Sequence, residues 1–138
     1  MSIPTPTVFT WIPGSQHKID ASNLPNVKGT KWVFRYWSDG ATGSERMYTV
    51  PDVNSQLIPY FDEYFQLTLL PNPDGWLVAV TSGQNGYYLT GTPITIRAYP
   101  RAGFRFGEFM GTVGGNTNPL QTNIIAPFTI GAIFTPIQ

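Results

Sequence analysis

The chain contains no cysteine, and His17 is its one histidine among 138 residues. The first absence removes disulfides, iron–sulfur clusters and thiolate zinc sites. The second removes any multi-histidine metal site within one chain. Charge is also scarce. Eight basic and eight acidic residues make up 12% of the chain and cancel, where about a quarter is usual. A neutral chain lacks the basic face expected of a nucleic-acid binder. No apolar run approaches the roughly 20 residues of a membrane span. The opening Met1-Ser2-Ile3-Pro4-Thr5-Pro6 has neither the charged nor the apolar region of a signal peptide. Eight scattered carboxylates also make a poor calcium site, which needs clustered oxygens.

What is abundant is turn-forming and aromatic. Fourteen glycines and thirteen prolines punctuate the chain, and aromatics are 14% of it. Nowhere does a 3.6-residue period run free of Gly and Pro for three turns. Residues 3–7 read as an extended lead-in because two prolines restrict them. Strands are expected at 8–12, 16–21, 31–37, 45–50, 64–70, 76–81, 87–89, 94–99, 104–109, 120–125 and 128–134. Residues 57–61 form a weaker candidate because of Pro59. The one stretch with room for a helical turn is 52–63. The fold class is therefore all-β, with small antiparallel sheets of β-grasp-like or sandwich-like form.

The chain also repeats itself. Residues 14–21 (GSQHKIDA) and 91–98 (GTPITIRA) share G-[ST]-x-x-x-I-x-A at an offset of 77. Trp32-x-Phe34-x-x-Trp37 and Phe104-x-Phe106-x-x-Phe109 correspond at an offset of 72, the difference being five extra residues in loop 22–30. Aromatic–x–Phe puts two rings on one sheet face, and the third ring breaks the alternation. A bulge near Arg35-Tyr36 or Gly107-Glu108 restores it to the core. Two tandem repeats follow, residues 1–62 and 63–138. Nothing before Val8 supplies the opening hairpin that the second repeat carries, so the first is expected to be incomplete, with an open sheet edge.

These patterns resemble the divergent InlB B-repeat of bacterial secreted and surface proteins. Over about 64–136 the resemblance rests on Gln66-Leu67-Thr68-Leu69, Tyr88-Leu89-Thr90-Gly91-Thr92, the alternating strand Ile94 to Pro100, Gly103-Phe104-Arg105-Phe106, Asn118-Pro119 and Ala132-Ile133-Phe134. Over about 8–62 it rests on residues 9–17 and Trp37-Ser38-Asp39-Gly40. Phe109-Met110-Gly111 departs from the usual Trp-Ser-Gly, so that corner is expected to be repacked. The resemblance implies an extracellular or cell-surface location and a non-catalytic structural or adhesion module. Its partners would be other copies of itself through sheet edges, or neighbouring domains of a larger chain.

Catalytic residues are not expected. Asp62 and Glu63 are adjacent, so on a strand they point to opposite faces. Asp39, Asp74 and Asn118 are turn residues, and Ser15 and Asp20 beside His17 read as turn and surface. The Gly-rich stretch 111–115 lacks the Lys and the helix of a phosphate loop. No metal site or cofactor is expected. The alternative function is an accessory carbohydrate-binding module that stacks exposed rings on glycans. Trp11, Trp76, Tyr87 and Tyr88 are its candidate platform because they lie near turns, with Trp32 and Tyr36 behind them.

Overall fold

A computed structural model describes residues 8–22 and 27–137. The lead-in expected over 3–7 lies outside the described residues, as do residues 23–26 of the loop at 22–30. The described residues contain ten strands and no helix: β1 Gln16–Asp20, β2 Thr30–Trp37, β3 Glu45–Thr49, β4 Pro59–Leu69, β5 Gly75–Ala79, β6 Tyr87–Leu89, β7 Pro93–Pro100, β8 Phe104–Gly111, β9 Leu120–Asn123 and β10 Phe128–Pro136. The protein is all-β. Two compact units divide it, one of residues 1–27 and 32–63, the other of 28–31 and 64–138.

In the first unit β1 pairs antiparallel with β3, from Gln16↔Thr49 to Asp20↔Glu45. β2 lies beside β4. Phe61 and Trp37 are buried, with Phe34 between them, its ring centroid 5.5 Å from Trp37 and 5.8 Å from Phe61. Arg35 and Tyr36 are both exposed before Trp37 turns inward, which is the break in alternation that a third core ring requires.

In the second unit β5, β7 and β9 form one antiparallel sheet, β7 in the middle. The other sheet places β10 between β4 and β8, and β6 on β4. The β4–β10 pair is parallel, Phe128↔Leu67 to Ile130↔Leu69, so this sheet is mixed rather than purely antiparallel. A long connection with its own strands separates β4 from β10, as parallel pairing demands. The core between the sheets includes Phe65, Leu67, Tyr88, Ile94, Ile96, Phe109, Ile124, Ile130 and Phe134. Strand β7 reads Ile-Thr-Ile-Arg-Ala, and its buried and open positions alternate accordingly.

The β8–β10 register slips between Ile133 and Phe134: Ile133 faces Glu108, but Phe134 faces Phe106. Gly107 is the extra residue, so the bulge falls where the aromatic spacing puts it. A Cβ on Gly107 would sit 3.0 Å from the Ile133 carbonyl oxygen. Phe106 then meets Phe109 at 4.8 Å and Phe134 at 6.5 Å, edge-on. Each unit thus holds a ring trio, Phe34/Trp37/Phe61 or Phe106/Phe109/Phe134.

The same backbone bonding pattern occurs within each unit. Gly14 N–H donates to Val50 O, and Val50 N–H to Ser15 O; Gly91 N–H donates to Ile124 O, and Ile124 N–H to Thr92 O. Both glycines have positive φ, 85° and 83°. Ser15 Oγ donates to Ile12 O at 2.5 Å, and Thr92 Oγ1 to Leu89 O at 2.6 Å. Ser38 N–H donates to Ile58 O while its hydroxyl accepts from Ile58 N–H; Thr112 and Thr129 repeat that exchange.

Two local expectations fail. Residues 8–12 form no strand, because no described strand pairs with them; Phe9 and Trp11 stack on each other instead. Residues 52–63 contain no helical turn. Pro59 opens β4, a first position where its missing N–H costs no ladder bond.

Candidate functional site

The Ser15–His17 pair is the nearest approach to catalytic geometry. Ser15 Oγ lies 3.0 Å from His17 Nε2. A hydroxyl has one proton, and Ser15 gives it to Ile12 O. His17 therefore donates to Ser15 rather than activating it. Thr92 makes the same turn bond in the second unit with no histidine near it in sequence, so the hydroxyl locks a turn. His17 instead stacks on Trp11 at 3.8 Å with the rings 7° from parallel. Among the described residues no group of three His, Asp or Glu is placed to hold a metal ion.

The four ring candidates separate. Tyr88 is a core residue, 6% exposed. Its hydroxyl donates to Thr81 O at 2.7 Å, and burial raises its pKa. It is removed from any exposed platform, because strand alternation turns it inward while Tyr87 and Leu89 turn the other way. Tyr87 is half-buried, with the Lys31 ammonium 5.9 Å from its ring centre. Trp11, in the first unit, is half-buried between Phe9 and His17.

Trp76 is half exposed on β5. Directly across on β7 is Tyr99, 40% exposed, with ring centroids 5.8 Å apart and planes 18° from parallel. The same alternation brings Val78 opposite Arg97, then Thr95 opposite Gln121 on β9. The outward face of β5–β7–β9 therefore carries an aromatic pair with Arg97 next along the strand and Thr95 and Gln121 further from it. Tyr99 was missed by the sequence reading. Its signal was the alternation of Ile94 to Tyr99, which puts Arg97 and Tyr99 on one face. Of the weaker candidates, Tyr36 packs on Tyr60 at 5.1 Å with Arg35 at 5.7 Å from its ring. Trp32 is half-buried, and no described acceptor reaches its indole N–H.

Polar groups elsewhere are structural. Arg46 donates to Asp39 at 2.9 Å, and that bond with the Ala41 N–H holds the Asp39 carboxyl below the usual range. Asn118 spans the edge of β7 past the end of β9. Its amide donates to Ala98 O at 2.8 Å and accepts from Ala98 N–H at 3.1 Å.

The fold and these sites define a small all-β module with aromatic sheet faces and no assembled catalytic constellation among its described residues. Residues 76–138 match the family model of the divergent InlB B-repeat domain. That family suggests a bacterial surface repeat module. No curated protein and no solved structure gives a significant match. The opening strand at 64–70 and all of the first unit lie outside the matched residues.

Proposed function

We propose that the chain is a non-catalytic structural or adhesion module of a bacterial secreted or surface protein, built from two related repeats, residues 1–62 and 63–138. The observation that carries the reading is the shared framework. The same glycine turn, the same serine or threonine lock, the same strand pairing and the same ring trio occur in both units. Chemistry at one of these turns would leave the other unexplained, whereas a scaffold requires both. The family match over 76–138 supports the surface location.

The test is protease shaving of intact cells that make the protein. External trypsin is expected to remove the polypeptide from the cell surface, with a cytoplasmic marker left whole. Full protection until lysis would overturn the location.

The Trp76–Tyr99 pair favours a second reading, an accessory carbohydrate-binding module. The stacked, half-exposed rings offer an apolar surface on which a pyranose can pack, and Arg97, two residues along the same strand face from Tyr99, offers hydrogen-bond donors. Tryptophan fluorescence during titration with soluble polysaccharides tests it. A saturable change that disappears in Trp76→Ala supports a glycan site; no change across acidic, neutral and amino-sugar polymers removes it.

A further inference from the structure

We propose that the free edge of β1 is a self-association surface, on which β1 of a second copy pairs antiparallel about a two-fold axis at Ile19. The proposal deepens the repeat-module reading and rests on it.

The backbone phase comes first. Val50 N–H donates to Ser15 O, and Ala21 N–H donates to Ser44 O. Odd-numbered residues of β1 therefore face β3, and Gln16, Lys18 and Asp20 direct their N–H and C=O groups to the opposite side. Among the described residues no strand pairs on that side. In the second unit the corresponding edge, that of β7, is paired. There Thr95 and Arg97, the counterparts of Lys18 and Asp20 at the offset of 77, face β5. Val80 N–H donates to Thr95 O, and Arg101 N–H continues that ladder to Asp74 O.

Charge decides the occupant. Asp20 lies directly opposite Glu45 on β3, a like-charge pair on one sheet face. Lys18 reaches Glu45 diagonally at 3.1 Å, while Asp20 has no basic residue opposite it on β3 and accepts hydrogen bonds from the Ser22 N–H and hydroxyl. A strand of the β5 kind would set Val80 against Lys18 and Val78 against Asp20, and so would bring neither charge an ion-pair partner. A second β1 behaves differently. Pairing about Ile19 places Lys18 of each copy opposite Asp20 of the other, inside hydrogen-bonded pairs built from the free groups. It gives two cross-strand ion pairs, Lys18 of each copy with Asp20 of the other. Ile19 then meets Ile19 of the second copy in the non-hydrogen-bonded pair. An isolated edge lysine normally discourages pairing; in this register it becomes the attractive element.

The test is sedimentation equilibrium of the full chain from about 1 μM to 1 mM at low salt. The mass should rise from 15.3 kDa towards twice that value. Lys18→Glu and Asp20→Lys should each weaken association at least tenfold, and the double variant, with its charges exchanged, should recover to within about threefold. Because the chain has no cysteine, Ile19→Cys should give an oxidised covalent dimer and Met47→Cys, on β3, should not. A monomer throughout would overturn the proposal, as would a dimer indifferent to both charges or one not cross-linked at position 19. Any of these failures leaves surface exposure on cells unchanged, so the parent reading stands or falls separately.

Discussion

Tyr88 shows how much one residue's role depends on the face it takes. Beside Tyr87 in a turn-rich stretch it reads as exposed, yet the strand alternation of β6 sends it inward, where its hydroxyl finds Thr81 O. Tyr88→Phe keeps the packing and removes the donor. The bond contributes about 1 kcal/mol, with the Thr81 carbonyl left poorly satisfied. Chemical denaturation near pH 7 should show that loss. The pH response has a definite sign. Burial raises the phenol's pKa in the folded chain, so the fold favours the protonated form. That contribution is complete below the unfolded value of about 10 and is lost as pH rises through the raised folded value. Wild-type stability should therefore fall more steeply above pH 10 than that of Tyr88→Phe.

At the scale of elements, side chains substitute for missing strand. Strand β9 ends its pairing at Ile96↔Leu120, and the Asn118 amide takes both backbone groups of Ala98, a buried residue. Asn118→Ala leaves a buried donor and acceptor unpaired at about 1 kcal/mol or more each. A loss of about 2–3 kcal/mol is expected, with faster amide exchange at Ala98 than at Ile96. A change below about 0.5 kcal/mol would mean that water serves Ala98 equally well. Elements of this kind were unevenly legible. The bulge at Gly107 was readable because Phe104, Phe106 and Phe109 cannot share a face in a regular strand. The alternation of β7 was equally plain. The parallel β4–β10 pair was not, because register between distant strands leaves no local trace. Nor was the failure of residues 8–12 to form a strand. Val8 to Ile12 has strand propensity, but propensity acts only where a partner strand exists.

At the scale of the whole molecule the two units are unequally built. In the second, β5 covers β7, and Phe65, Leu67, Ile94, Ile96 and Ala98 are buried together. In the first, the counterparts of Ile94, Ile96 and Ala98 are His17, Ile19 and Ala21, all half-buried, and Arg46 stands where the register of the second unit has buried Leu120. Fully burying a large apolar side chain contributes about 1.5–3 kcal/mol. Trp37 and Phe61 are the fully buried apolar residues of the first unit among those described, and a two-stranded ribbon such as β1–β3 is marginal alone. Local opening follows low burial. Native-state hydrogen exchange should therefore show β1 and β3 amides opening well below the global unfolding free energy, while those of β7 and β10 exchange only near it. Raising the protein concentration separates the two scales. If β1 edges pair between copies, protection of Lys18 and Asp20 amides should grow with concentration while β7 and β10 stay constant; equal protection of the two units at every concentration would mean that the thin core of the first unit is stabilised from within.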